Sequence, residues 1–202
     1  HPAQECCKAQ LPLHIDTRIK KEQMITLVAH MADIIIENEI SFCELDSHAG
    51  DGDFGTSVAK GFRALKAEWE NVIKNNSIGE FLDSCSLLIM EHCGGASGPI
   101  WGFAFKYAAK SAADKTDLSL KDFAAMLQAA VYGIQETGRR SFGRGAVVGD
   151  KTLIDALVPC ADIWSRAAES GASFPETFRM AAQAAVEGAE STKSIVARMG
   201  RA

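Results

Sequence analysis

Apolar residues that recur every three or four positions, in segment after segment, most constrain what this chain can fold into. Met24, Leu27, Val28, Met31, Ile34 and Ile35 make one apolar face from about Lys20 onward. Val58, Phe62 and Leu65 begin a second amphipathic stretch that runs to about Asn75-Asn76. Ser77 is placed to cap a third helix, with Glu80 three residues on as in a capping box, and Leu82, Cys85, Leu88 and Ile89 follow up to Gly94-Gly95. Ser97 opens a helix through Phe103, Tyr107 and Ala108, and Ser119 caps another that carries Leu120, Phe123, Leu127, Val131 and Ile134. Leu153, Ala156, Leu157 and Trp164 mark a further helix, broken by Gly171-Ala172-Ser173. Phe178, Ala182, Ala185 and Ala189 mark the last, which fades towards Arg201. No stretch alternates at period two long enough to predict a strand. The expectation is an all-α domain of about seven helices, antiparallel because the connections are mostly short. It spans residues 19–202. Residues 1–18 lack a period, contain two prolines and read as an extended arm.

Composition narrows the function classes. The chain has 202 residues, 47% of them hydrophobic, and a net charge of −5 with no basic block, which argues against a nucleic-acid partner. Charged residues interrupt every hydrophobic segment, so no membrane span is expected. The six cysteines form no CxxC pair and no zinc-spaced cluster with histidine. They read as reduced thiols in a cytoplasmic protein, with Cys85 and Cys160 as small buried hydrophobes.

Between the helices lie three polar, glycine-rich loops. The first runs Asp46-Ser47-His48-Ala49-Gly50-Asp51-Gly52-Asp53-Phe54-Gly55-Thr56-Ser57. It is too glycine-broken for a helix interior, and it can turn its carboxylates of Asp46, Asp51 and Asp53 towards one hard cation such as Mg²⁺. An EF-hand is excluded on register, because the fifth position after Asp51 is Gly55 and the twelfth is Phe62. The competing reading is that these aspartates cap the helix that starts near Gly55. His48 is a neighbour of an oxygen-loving ion rather than a ligand, and His30 and His92 read as ordinary helix residues. The second loop, Gly94-Gly95-Ala96-Ser97-Gly98-Pro99, offers free N–H groups and a hydroxyl to a phosphate at a helix N-terminus; a tight turn between antiparallel helices explains it as readily. The third spans Gly138 to Gly149 and continues as Asp150-Lys151-Thr152. It is no Walker A loop, since Asp150 stands between Gly149 and Lys151. Asp150 reads as a helix cap, and Lys151 as solvated or as a phosphate neutraliser.

Together the three loops resemble the nucleotide-binding L subunit, or L domain, of dihydroxyacetone kinases. The resemblance is carried by Gly50-Asp51-Gly52-Asp53-x-Gly55-Thr56, Gly94-Gly95-Ala96-Ser97-Gly98 and Gly149-Asp150-Lys151-Thr152-Leu153-Ile154-Asp155-Ala156-Leu157, in that order, and covers roughly residues 20–202. It implies an antiparallel helical barrel that holds ATP or ADP with Mg²⁺ at one end. By match, Asp46, Asp51 and Asp53 would ligate Mg²⁺. Phe54, Gly55, Thr56, Ser57, Ala96 and Ser97 would line the phosphates. Gly145 (or Gly143) and Leu153 would border the adenine, and Arg201 would contact the nucleotide. The resemblance also implies a separate K-type subunit or domain that binds a small ketose such as dihydroxyacetone covalently through a histidine, and a γ-phosphoryl group delivered to the substrate's terminal hydroxyl. No side chain of this chain need be a covalent catalyst.

Two departures bear on these expectations. Members that keep ADP bound, and have it rephosphorylated by a phosphotransferase-system protein, typically carry His after the last aspartate, and ATP-exchanging members a small residue. Phe54 matches neither, and the missing His favours ATP. The family pattern continues with an Asp-Pro-Gly loop and one more helix where this sequence reads Gly200-Arg201-Ala202, so the expected barrel lacks its lid and final helix. Fatty-acid kinases share the fold but typically place Pro before Asp-Gly-Asp, where Ala49-Gly50 stands here. A nucleotide-loaded regulatory module that docks on a transcription factor is the alternative of a different class.

Overall fold

The structure, a computed structural model, describes residues 15–200. Among these residues are nine helices and one small antiparallel pair, β1 (Ile19–Lys20) with β2 (Asp117–Leu118), in which Ile19 lies opposite Leu118. The all-α expectation holds. Most of the arm read over residues 1–18 lies outside the described residues, as does Arg201.

Helix α1 (Lys21–Glu37) begins where the Gln23 side chain accepts the Lys20 N–H at 2.8 Å, and it buries Met24, Val28, Ala32 and Ile35. Two helices exceed the expected count. α2 (Glu39–Ser47) occupies the approach to the acidic stretch, and α4 (Trp69–Val72) is a single turn cut from the second amphipathic stretch at Glu68. The helix proper there, α3 (Phe54–Ala67), buries Val58, Phe62 and Leu65. α5 (Ile78–His92) starts as expected on Ser77, whose hydroxyl accepts the Glu80 N–H at 3.1 Å. The Glu80 carboxylate reaches the N–H of Asn76, one residue further back than a capping box requires.

α6 (Ser97–Ala112) follows, then α7 (Leu120–Phe142) behind a complete Ser119–Asp122 capping box. α7 runs five residues further than the sequence suggests. Gly138, Arg139 and Arg140, expected in the third loop, belong to its last turns, and it ends at Gly143 in the left-handed region with φ 75°. α8 (Ile154–Ser170) and α9 (Phe174–Ser191) form as expected, divided at Gly171, with Ser173 capping α9.

The helices pack in a row, α1 on α3, α3 on α5, and then each on its successor to α9. The row curls. Met24 and Leu27 at one end and Phe178 at the other line the same central apolar cavity of about 310 Å³. Phe62, Leu65, Phe81, Ile78 and Ile89 are fully buried at its α3–α5 side. Phe123, Trp164, Phe174 and Phe178 close the α7–α9 side with ring centroids 4.5 to 6.3 Å apart. The described cysteines are all free; Cys85 is buried as expected, whereas Cys160 is only half-buried. No helix among the described residues is long and apolar enough to cross a membrane.

Candidate functional site

The three loops meet at one end of the row. Asp46 sits on the last turn of α2 rather than in a loop, and the chain then reverses through Gly52, at φ 79°, to bring Asp51 and Asp53 beside it. One carboxylate oxygen from each aspartate lies within 4.8 Å of the other two. The capping alternative is also partly realised. Asp46 Oδ2 accepts the Phe54 N–H at 3.2 Å, so a single carboxylate faces the cluster and holds the start of α3. Asp53 occupies the N-cap position of α3 but makes no side-chain capping bond. His48 is exposed at the end of α2 and is not one of the clustered residues.

The cluster fits a hard divalent cation. Around octahedral Mg²⁺ at ~2.1 Å per oxygen, neighbouring ligands stand ~3.0 Å apart and opposite ones ~4.2 Å, so three oxygens within 4.8 Å of one another reach one ion by small side-chain rotations. Three carboxylates this close and partly open to solvent also leave coordination positions for water or phosphate.

Close contact between α2 and α3 makes this arrangement possible. Gly55 is buried, and a Cβ there would overlap the Glu39 carbonyl and stand 2.8 Å from Cys43 Sγ and 2.9 Å from Cys43 N. The Glu39 side chain pairs with Arg63 of α3 and bonds Thr56. Arg63 foremost holds the Glu39 carboxyl below its ordinary pKa. Thr56 Oγ1 lies 3.5 Å from Cys43 Sγ. The Phe54 ring turns to Phe42, 5.9 Å away, across an apolar groove that Ile34 and Trp101 also line. At Phe54 it is the backbone that faces the acid cluster.

Ser57 joins the first loop to the second, since its carbonyl accepts the Gly94 N–H at 3.3 Å. Beyond Gly95, in the left-handed region at φ 53°, α6 begins, and the N–H groups of its first turn have no intrahelical acceptor. Ser97 is buried there and Ala96 is exposed. Ala96 and Ile100 then form one wall of a cavity of about 280 Å³; Leu153 and Ile154 of α8, the end of α7 and Met199 complete it. Leu153, which the resemblance sets beside the adenine, is thus one of the residues that line this cavity. Gly145 does not line the cavity. It packs on Gln135, and its neighbour Ala146 reaches the cavity instead. Acid cluster, Ser57–Gly94 link, α6 first turn and cavity form one continuous path.

The third loop is organised by residues that sequence reasoning assigned otherwise. α8 has no side-chain cap, so Asp150 does not serve as one; Asp155, in the first turn of α8, instead ties the loop to the helix, accepting the Gly149 N–H at 2.7 Å and the Thr152 N–H at 2.9 Å. Asp150 is 2% exposed and takes Arg144 in a two-pronged pair at 2.6 and 2.9 Å. Arg144 foremost, then the Val147 N–H, lowers the Asp150 carboxyl to a pKa of about 2. Lys151 is not merely solvated, because its Nζ donates to the Ile195 carbonyl at 3.2 Å. Thr137, Ser141, Phe142 and Met199 also line the cavity and carried no recognisable signal.

The family model of the DAK2 domain matches residues 48–202. An Escherichia coli K12 protein named PEP-dependent dihydroxyacetone kinase, ADP-binding subunit DhaL, is 28% identical over 91% of this chain and 84% of its own length. A Listeria innocua serovar 6a protein, named the ADP-binding subunit DhaL of PEP-dependent dihydroxyacetone kinase 2, is 29% identical over 83% of this chain and 76% of its own. Mouse triokinase/FMN cyclase is 29% identical over 91% of this chain but only 30% of its own length. With Asp51, Asp53, the α6 start and the Gly149–Leu157 stretch all inside the matched region, the chain belongs to the DAK2 domain family, that of the L domains of dihydroxyacetone kinases.

Proposed function

We propose that this chain is the nucleotide-carrying component of a dihydroxyacetone-type kinase, a phosphotransferase with an alcohol acceptor. The observation that carries the reading is the continuous path from the Asp46–Asp51–Asp53 cluster, across the Ser57–Gly94 contact and the α6 first turn, into the 280 Å³ cavity. A nucleoside di- or triphosphate has the same order of parts, with metal-bound phosphates at one end and a flat apolar base at the other.

The three aspartates would hold Mg²⁺, which when bound would neutralise phosphate charge. The first turn of α6 would hold phosphate through backbone N–H groups and the Ser97 hydroxyl. Phe54, Gly55, Thr56 and Ser57 would set the phosphate side mainly through their backbone, with Thr56 oriented by Glu39 and Cys43. Leu153 and its neighbours would enclose the base and exclude water, and Arg201 is assigned to the nucleotide by sequence match. The substrate, dihydroxyacetone or a similar small ketose or polyol, would be held by a K-type partner, and this chain would orient the phosphoryl group for transfer to it.

Two relatives are named PEP-dependent, which supports a second donor scheme: ADP stays bound and a phosphotransferase-system protein rephosphorylates it. Phe54 in place of His supports free ATP exchange. Calorimetric titration of ADP with and without Mg²⁺ tests the site. Asp51→Asn and Asp53→Asn should each weaken Mg²⁺-dependent binding by about tenfold or more, since each removes a charge from the ion's shell; unchanged affinity in both refutes the assignment. Adding a K-type subunit and dihydroxyacetone, with either ATP or the phosphoenolpyruvate-driven proteins, then identifies the donor by the arm that yields triose phosphate.

A further inference from the structure

Met199 and Gly200, at the end of the segment 195–200, form one wall of the cavity, and the structure shows what keeps them there. Met199 is 8% exposed and packs with Ile134, Ala146 and Ile154. The segment has little helical hold of its own, since α9 ends at Ser191 and only a short 3-10 turn, Thr192–Ser194, follows. Two bonds tie it to the third loop instead. The Arg198 N–H donates to the Asp150 carbonyl at 3.0 Å, and Lys151 Nζ donates to the Ile195 carbonyl at 3.2 Å.

Both anchors depend on an unusual stretch of backbone. Lys151 sits at φ 62°, a region that side chains other than glycine rarely adopt and that persists only where the surroundings impose it. The surroundings here are Arg144 and Asp155. Arg144 grips both oxygens of the buried Asp150 carboxylate, which also accepts the Val147 N–H at 2.9 Å. Asp155 holds the N–H groups on either side, at Gly149 and Thr152. Arg144 is half-exposed and does not line the cavity.

We propose that the Arg144–Asp150 pair is a positioning element: it holds residues 195–200 as a strap across the cavity and sets Met199 as the wall against which the ligand's flat ring rests. This deepens the nucleotide reading and rests on it. The ring is held only while the strap is closed. If breaking the pair leaves the wall in place a tenth of the time, apparent affinity falls by about tenfold.

The test uses Arg144→Met, Met199→Ala and the double variant, with ADP and Mg²⁺ as the probe. Each single variant should weaken ADP binding by about tenfold. The double variant should be no weaker than the poorer single, because both act through one wall. Arg144→Lys should restore part of the loss, and binding of Mg²⁺ alone should not change. In nucleotide-free protein, the methyl resonance of ¹³C-labelled Met199 should move in Arg144→Met and, to a lesser degree, in Lys151→Ala, which keeps the loop's fold but cuts one tie. An unmoved Met199 resonance, or losses that multiply in the double variant, overturns the proposal. Wild-type protein that binds no ADP would overturn the nucleotide reading instead, and the Met199 resonance would still decide whether the strap exists.

Discussion

Gly55→Ala tests whether the acid cluster depends on how closely α2 and α3 approach. An added Cβ would overlap the Glu39 carbonyl and stand 2.8 and 2.9 Å from the Sγ and N of Cys43. An unstrained pair of heavy atoms needs ~3.5 Å, so roughly 0.6 Å must be found at Cys43 and more at Glu39. Two of the three obstacles are backbone atoms, which cannot swing aside. The relief has to be a separation of α2 from α3, with a cost near the upper end of the ~1–3 kcal/mol usual for overpacking. Alanine returns up to ~1 kcal/mol in helix propensity, which leaves a net loss of ~2 kcal/mol, or a melting point lower by ~4–8 °C for a domain of this size. Asp46 rides on α2 while Asp53 and the Asp46-bound Phe54 N–H belong to the start of α3. The same separation therefore spreads the carboxylates. Mg²⁺-dependent ADP binding should fall by about tenfold or more at temperatures where the variant is fully folded, since misplacement by ~1 Å is already costly in a preorganised site. Urea unfolding and calorimetry give the two numbers. A variant within ~0.5 kcal/mol of wild type that binds ADP and Mg²⁺ unchanged refutes the dependence of the site on this contact.

Further outcomes follow from single residues. Asp150, with its carboxyl lowered to a pKa of about 2 by Arg144 and then by the Val147 N–H, contributes stability that is fully present above the ordinary aspartate value of ~3.9 and lost as pH falls through the lowered one. The unfolding free-energy difference between wild type and Asp150→Asn should be flat from pH 5 to 8 and shrink from pH 4 to 2; a difference that changes near neutrality contradicts the assignment. Burial pushes the Cys93 thiol up to about 11, so at pH 8 only about one molecule in a thousand carries its thiolate. Iodoacetamide should modify half-buried Cys43 in the native protein long before Cys93 or buried Cys85, and all of them in urea, as read by mass spectrometry. Phe81→Ala removes a fully buried ring that meets Trp69 edge-on at 6.0 Å and should cost ~3–5 kcal/mol in urea unfolding. Ser119→Ala breaks a complete capping box and should cost ~1 kcal/mol.

The parts of the fold legible in the sequence are those with a local cause. Ser77 and Ser119 each precede a helix and accept an N–H of its first turn, and the apolar periods of α1, α5, α7 and α8 face the interior, apart from exposed Ile34 of α1. α2 escaped because nothing local marks it. It has no side-chain cap and no fully buried residue, and Ile40 and Leu45 point outward at 74% and 67% exposure. Its helical state comes from docking on α3 at Gly55, a tertiary contact between residues far enough apart to leave no period. The end of α7 was hidden for the opposite reason. Gly138 reads as a loop residue, yet it serves as a flat place on a helix where the returning chain passes, with the Arg144 carbonyl and the Met199 sulfur 3.3 and 3.5 Å from where a Cβ would stand. Asp150 and Lys151 show the limit most clearly. Residue type allowed a cap and a free cation; the partners actually taken, Arg144 six residues back and Ile195 forty-four ahead, are set by how the third loop lies on the carboxyl-terminal segment. The aspartates and glycines of the first loop mark a candidate site because their chemistry is local to the turn that holds them. The wall of that site is built by contacts across the fold, and it is there that Arg144 gains a role which neither its charge nor its position in the chain announces.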